Sequence, residues 1–188
     1  MATKRITSEI FDILSKGMFI CSNSPIDSIR RLYNYVDQNF DQLYDYFEEI
    51  NFILERGDEY FYFSKKEAKA DLERKIETAF KWIDIVDFFK TYDNSFGPGT
   101  RFTPSDILVR LKIDAGLKNK LVALKKYTKE DKFSENIQKL IEILKRDGFV
   151  DLENEIANTY KILSSFRYLE ELILNINIPG EIQNEIPQ

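Results

Sequence analysis

Residues 149–163 read FVDLENEIANTYKIL, and this stretch indicates the fold class of the chain. Two β-prone runs, Phe149–Leu152 and Thr159–Leu163, flank a polar turn around Glu153–Glu155, which is the pattern of a β-hairpin. Residues 52–63 repeat it, with apolar and aromatic runs on either side of a polar turn that contains Gly57. The sequence therefore predicts two hairpins that lie far apart along the chain.

Helical segments precede each hairpin. Two segments have the same helix-start pattern, with a hydroxyl at the N-cap, Pro at the first helical position and an acid at the third: Ser24–Asp27 and Thr103–Asp106. A third helix start is the capping box at Ser64–Glu67. From Pro25, apolar residues recur at steps of three and four up to Ile50, which predicts one continuous helix. Further helices are predicted from Ser64 to about residue 93, Thr103 to about Ile113, Leu117 to Tyr127, Ser134 to a C-terminal cap at Gly148, and Phe166 to about Ile176.

Helices followed by a hairpin, twice over, are typical of the winged-helix variant of the helix-turn-helix. We therefore expect a mainly α (α+β) protein with two tandem winged-helix domains that have short β-hairpin wings. The first domain is expected at 1–63, in an abbreviated form. The second is expected at 64–178 and includes the long connecting helix, and 179–188 is expected to be a flexible tail.

Composition excludes several classes of site. The 188 residues include no histidine and one cysteine, so His-dependent triads, His-ligated metals, disulfides and thiolate zinc sites are impossible. No catalytic residue, metal site or cofactor is predicted. No apolar run approaches the ~20 residues that span a bilayer, and no signal-peptide core follows the N-terminus, so we expect a cytoplasmic protein without membrane contact.

The pattern of core residues resembles a known family. The similar positions are Gly17–Ile20, Leu32-Tyr33, Tyr35-Val36, Leu43, Tyr46-Phe47, Ile50, Leu54, Tyr60–Phe63, Leu144, Asp147–Val150, Tyr160–Leu163 and Tyr168-Leu169. They resemble MksE and MukE, the tandem winged-helix "kite" subunits of bacterial condensins, and the related subunits of plasmid-defence complexes.

The resemblance implies a non-enzymatic, nucleoid-associated homodimer. Such a dimer would bind a kleisin (MksF- or MukF-like) and through it an SMC ATPase, and would contribute non-specific contacts to double-stranded DNA. The process served, chromosome organisation and segregation or plasmid defence, stays open.

The charge distribution points to a DNA surface. Between residues 110 and 132 there are eight basic and three acidic residues, whereas between 37 and 59 there are eight acidic residues and one basic residue. Lysine-rich segments suit contacts to DNA phosphates, which depend on salt but not on the DNA sequence. The alternative is that these lysines form an ordinary solvated helix face. The predicted DNA-binding residues are Arg110, Lys112, Lys118, Lys120, Lys125, Lys126, Lys129, Lys132 and Lys139.

Two other features suggest protein contacts. The carboxylates at Asp37, Asp41 and Asp45 extend along a helix and do not converge on an ion, so they form either a solvated face or a docking surface for a basic segment. In the aromatic strand, one pair of rings would be buried and the other would lie outward: either Tyr60 and Tyr62 or, in the reverse orientation, Phe61 and Phe63. An exposed aromatic ridge, with Phe52 nearby, would suit a dimer or kleisin contact. The alternative is that both faces of this strand are covered within the monomer.

Two competing functions were weighed. A free-standing winged-helix transcription regulator would read an operator through amides or arginines, but the predicted recognition helix offers only Asn136 and Gln138 in its first turn. A small enzyme is disfavoured because the sequence contains no histidine and no recognisable nucleophile constellation.

Overall fold

The computed structural model describes residues 2–64 and 72–174, and the side chains of 5–64 and 77–174. The first half contains helices and a three-stranded antiparallel sheet of strand order β1-β3-β2. Its elements are α1 (Ala2–Leu14), β1 (Ile20–Cys21), α2 (Asp27–Gln38), α3 (Phe40–Glu48), β2 (Ile53–Gly57) and β3 (Tyr60–Ser64).

The second half repeats this arrangement with additional helices. Its sheet has the equivalent strand order β4-β6-β5, again antiparallel. Its elements are α4 (Leu72–Tyr92), β4 (Arg101–Phe102), α5 (Pro104–Leu111), α6 (Ala115–Ala123), α7 (Lys125–Thr128), α8 (Phe133–Arg146), β5 (Val150–Asn154), β6 (Thr159–Ile162) and α9 (Phe166–Leu174).

The predicted fold class is confirmed: the protein is mainly α with small antiparallel sheets in a winged-helix-like arrangement. Both hairpins form where the sequence predicts them. The Thr103 capping box is present, since Thr103 Oγ1 accepts from the Asp106 N–H at 3.2 Å and Asp106 Oδ2 accepts from the Thr103 N–H at 3.3 Å. Gly148 follows the end of α8 with a φ of 80°, as a C-terminal cap requires.

The single helix predicted from Pro25 to Ile50 is wrong, because the chain breaks at Asn39. Asn39 leaves helical geometry at φ −124° and ψ 27°, and its side-chain amide donates to the Tyr35 carbonyl at 2.8 Å. The apolar spacing continues across this one-residue break, so periodicity could not reveal it. Ser24 also lies outside α2, and its hydroxyl accepts from the Ile26 N–H at 3.2 Å.

Within the described residues, the first unit has three helices and a three-stranded sheet, and its expected abbreviated form stays a prediction. The sequence reasoning missed α1 and the two-residue strands β1 and β4. Each of these strands pairs with the outer side of a predicted hairpin, so each sheet has three strands. A two-residue strand is too short to show a sequence period, and its formation depends on the partner strand.

Two large hydrophobic clusters organise the described residues, and a small third one, formed by Cys21, Tyr60 and Leu163, joins the two units. One contains buried residues from Ile10 to Phe61, and the other contains buried residues from Trp82 to Leu169, including the inner face of α4. The domain boundary near residue 64 and the assignment of 64–178 stay predictions. The capping box at Ser64–Glu67 and the tail 179–188 extend into residues outside those that the structure describes.

The two units pack against each other through aromatic and polar contacts. The Phe19 ring lies 5.4 Å from the Phe149 ring, and Phe149 in turn lies 5.0 Å from Trp82. The Asn23 side chain of the first unit bonds the backbone of the second. Its amide donates to the Ile162 carbonyl at 3.1 Å, and its oxygen accepts from the Ser164 N–H at 2.9 Å. These contacts fix the first sheet against the end of the second.

Candidate partner and nucleic-acid surfaces

The nine basic residues predicted to contact DNA lie on α5, α6, α7, the first turns of α8 and the adjoining loops. Six of them pair with carboxylates of the chain, partly on other helices. These pairs are Arg110–Asp114 at 3.7 Å, Lys120–Asp87, Lys125–Asp131 at 3.1 Å, Lys126–Asp84 at 2.7 Å, Lys132–Glu135 at 2.8 Å and Lys139–Glu142 at 3.0 Å. The basic stretch is thus largely compensated by nearby acids.

Asp84 on α4 is the centre of one compensated cluster. Its Oδ2 accepts from Lys126 Nζ at 2.7 Å and from the Tyr127 hydroxyl at 2.6 Å. Partial burial alone would raise the pKa of Asp84, but the hydrogen bonds from Lys126 and Tyr127 lower it below its ordinary value. Lys126 therefore helps to hold α7 against α4.

Lys112, Lys118 and Lys129 differ from the other six cations. They are exposed and form no ion pair with any residue that the structure describes. Lys112 follows α5 and Lys118 lies on α6, with its Nζ 5.5 Å from the centre of the Phe133 ring. Lys129 lies in left-handed geometry after α7. These three are the best-placed of the predicted residues for phosphate contact.

The predicted recognition helix, α8, has little capacity for base readout. Asn136 is fully buried: its oxygen accepts from the Thr128 hydroxyl at 2.9 Å and its amide donates to the Leu121 carbonyl at 3.1 Å. Gln138 is half-buried, and Glu135 and Glu142 are exposed on the same helix. A helix that buries one of its two amides and exposes carboxylates does not suit operator recognition.

Both wings have acidic tips. The turn between β2 and β3 contains Asp58 and Glu59, and Arg167 of α9 pairs with both. The turn between β5 and β6 contains Glu155 and Ile156, and the Ile156 side chain is 100% exposed. Because carboxylates repel phosphates, neither hairpin tip suits DNA contact.

The predicted aromatic contact surface needs correction at Tyr60. Tyr60 is 1% exposed, with its ring 5.6 Å from Phe19, and burial raises its pKa. It is therefore unavailable to a partner in this conformation. Tyr62 and Phe52 are half-buried, and Phe52 packs 5.1 Å from both Phe11 and Phe63. The alternative, in which the chain covers both faces of this strand, is closer to the structure than an exposed ridge.

An apolar groove lies between α1, α2 and α3. Its volume is about 620 Å³, and its lining includes Phe11, Tyr35, Phe47, Ile50 and Tyr46, which is 52% exposed. The neighbouring face of α3 and its end are acidic. Its exposed acids, which pair with none of the described basic residues, are Asp41, Asp45, Glu48 and Glu49. This groove combines apolar walls with surrounding negative charge.

A second open groove lies where α5, α6 and the start of α8 meet. It has a volume of about 570 Å³ and includes Leu108, Ile113, Phe133, Lys112 and Lys118 in its lining. Its exposed rim is apolar and basic, so it is the electrostatic opposite of the first groove.

Comparison with protein families identifies the chain. A family model for the condensin complex protein MksE matches residues 5–173. The chain belongs to the MksE family. The matched range contains both sheets, both grooves and every predicted DNA-binding residue. A comparison with curated proteins found no match.

Family membership makes this MksE-family chain a subunit of a condensin complex. Within the described residues, no helix has the length and hydropathy needed to cross a membrane, and no group of three or more Cys, Asp or Glu could hold a metal ion. Cys21 is completely buried, and this burial raises the pKa of its thiol.

Sequence reasoning missed several residues that define these surfaces. Asp84 and Asp87 neutralise lysines that lie more than thirty residues away, and no local signal shows which helix they face. Ile113 is 78% exposed, although it lies at the end of a predicted helix. Its position directly after Lys112 could have been noticed in the sequence, but its exposure could not.

Proposed function

We propose that this MksE-family chain is the non-enzymatic kite-type subunit of an SMC complex. It works as a homodimer, binds the kleisin subunit and adds sequence-independent contacts to double-stranded DNA. The observation that carries this proposal is the MksE family match over residues 5–173. The ATPase chemistry belongs to the SMC partner, and the subunit acts near the nucleoid in chromosome organisation or plasmid defence.

The acidic groove between α1 and α3 supports a protein-docking role. Apolar walls at Phe11 and Phe47 offer buried area to a partner segment, and the exposed acids of α3 attract basic side chains. The same acids repel DNA, so this side of the subunit is assigned to a protein partner. The kleisin segment that binds here is expected to be amphipathic and basic.

DNA contact is assigned to Lys112, Lys118 and Lys129. Each phosphate contact contributes about 0.9 to the salt slope, so three contacts per chain would lower affinity roughly 40-fold between ~50 and ~200 mM salt. The buried amide of Asn136 and the acidic wings favour this non-specific mode over operator recognition.

Two measurements test the function. Fluorescence anisotropy with several unrelated duplexes at ~50 and ~200 mM salt should show similar affinities that collapse as salt rises. Tight, salt-tolerant binding to one duplex would instead identify a transcription regulator. A pull-down with the kleisin subunit of the same condensin complex should retain both proteins, and Tyr46→Asp should weaken that complex while Ile156→Asp does not. Failure of the intact chain to bind the kleisin would contradict the kite assignment.

A further inference from the structure

The groove formed by α5, α6 and α8 exposes apolar side chains. In its lining, Ile113 is 78% exposed, and Leu108 and Phe133 form partly buried walls. Val109 of α5, outside that lining, is 61% exposed. Clustered exposed apolar side chains of this kind mark contact surfaces, whereas single ones are ordinary. The groove therefore suits a segment that brings apolar side chains.

The basic rim of the groove favours a segment with acidic side chains. Lys112 and Lys118 lie on the rim and, unlike six neighbouring cations, have no carboxylate partner among the described residues. A matching segment would place acids beside these two lysines and apolar residues against Ile113 and Phe133.

Residues 175–188 have this composition. They read NINIPGEIQNEIPQ and contain no basic residue. Ile178, Ile182 and Ile186 recur every four positions, and Glu181 and Glu185 each precede one of the last two. This segment thus carries both the isoleucines that could pack against the apolar walls and the glutamates that could pair with the two lysines of the rim.

The connection to the groove is short. The described chain ends at Leu174, 81% exposed, at the end of α9, which packs on α4; α4 in turn contacts α6. Only α4 and α6 separate α9 from the groove. Ile182 lies eight residues after Leu174, and eight extended residues span roughly 26 Å at about 3.3 Å per residue, against roughly 20 Å for two helix-to-helix spacings.

The groove between α1, α2 and α3 does not fit the same segment. It lies beside α3, whose exposed acids include Asp41, Asp45 and Glu48, and these would repel Glu181 and Glu185. Charge therefore separates the two grooves.

We propose that residues 175–188 bind in the α5–α6–α8 groove of the same chain, with Ile182 and Ile186 against Ile113 and Phe133, and with Glu181 and Glu185 beside Lys118 and Lys112. This docking stands independently of the kleisin and DNA functions. If Lys112 and Lys118 also contact DNA, the segment competes with phosphates for them.

Disulfide trapping in the full chain tests the proposal. The pair Ile113→Cys and Ile182→Cys should form an intrachain disulfide under mild oxidation at least tenfold faster than the control pair Ile156→Cys and Ile182→Cys. Ile156 is fully exposed at the tip of the β5–β6 turn, and Cys21 is buried, so neither complicates the comparison. Adding Lys112→Glu and Lys118→Glu should reduce the rate to that of the control.

Two results would overturn the proposal. Equal rates for the two cysteine pairs would show that the groove does not bind this segment and stays open to another partner. Disulfide-linked dimers in place of the intrachain product would assign the groove to the segment of a second copy. Hydrogen exchange gives an independent readout: Ile182→Asp with Ile186→Asp should increase exchange at residues 108–118, and unchanged exchange would contradict docking.

Discussion

Lys126 Nζ lies 2.7 Å from Asp84 Oδ2, so a lysine that the sequence assigns to a basic surface is paired with an acid on another helix. The Tyr127 hydroxyl donates to the same carboxylate. Together they hold α7 against α4. The surface that contacts a partner is therefore smaller than the basic stretch, because ion pairing leaves few cations uncompensated.

Asp84→Asn should change how stability depends on pH. Because the pKa of Asp84 is lowered in the folded chain, its carboxylate stabilises the fold above the unfolded pKa near 3.8, and this contribution is lost as pH falls through the folded pKa. The variant should lose about 1 kcal/mol at pH 7, a figure discounted for solvent screening because Asp84 is partly exposed, and it should converge with the wild type as pH falls through the lowered pKa of Asp84. Urea unfolding at several pH values measures this difference.

The matched control is Asp131→Asn. Asp131 also pairs with a lysine, but its side chain is 99% exposed. Its loss should change the free energy of unfolding at pH 7 by less than about 0.5 kcal/mol. A pH-independent effect of Asp84→Asn would contradict the assigned role of the lowered pKa.

Removal of the three unpaired lysines should weaken DNA binding. Lys112→Gln, Lys118→Gln and Lys129→Gln together should lower affinity at least tenfold at ~50 mM salt and reduce the salt slope by about 2–3. The control triple, Lys120→Gln, Lys125→Gln and Lys126→Gln, removes the same charge from paired positions. It should lower affinity less than about threefold. Equal losses would mean that net charge, and not these contacts, determines binding.

Asn136→Ala should destabilise the fold without any effect on DNA sequence preference. The substitution leaves the Leu121 carbonyl and the Thr128 hydroxyl without their buried partner, which costs about 1–3 kcal/mol. Gln138→Ala, on the same turn of α8 but half-buried, should cost less than about 0.5 kcal/mol. Urea unfolding separates the two. A loss of sequence preference in stable Asn136→Ala protein would restore a base-reading role.

Gly148→Ala should weaken the contact between the two units. Its φ of 80° disfavours any side chain, and an added Cβ would lie 3.2 Å from Cδ2 of Phe19. Backbone strain alone costs about 1–2 kcal/mol. Gly99→Ala isolates that cost, because Gly99 has a φ of 86° with nothing within 4 Å of the added Cβ.

The comparison is made by urea unfolding with the fluorescence of Trp82, the single tryptophan, which packs on Phe149 next to Phe19. Gly148→Ala should be the more destabilising variant and the only one to alter native Trp82 emission. Identical effects of the two substitutions would show that the Phe19 contact tolerates the methyl group.

The sequence correctly predicted features that depend on residues only a few positions apart in the chain. The Thr103 capping box, the Gly148 cap and the two hairpins each follow from side-chain chemistry within a few positions. The apolar and aromatic pattern was also sufficient to indicate the MksE family.

Some features escaped prediction because they depend on contacts across the fold. The break at Asn39 leaves the apolar spacing intact, and the strand at Ile20 and Cys21 exists only because β3 lies beside it. Tyr60 occupies an alternating strand, but its burial depends on Phe19 and the second unit.

Local sequence thus determined the Thr103 and Gly148 caps, the hairpins, the fold class and the family, since caps, turns and periodicity act over a few residues. Only the tertiary structure decided which charges remain unpaired and which apolar side chains remain exposed. Lys126 and Lys118 look alike in the sequence, yet one meets Asp84 and the other forms no ion pair with a described residue. The physical reason is that electrostatic compensation and burial depend on which segments fold against each other, whatever their separation along the chain.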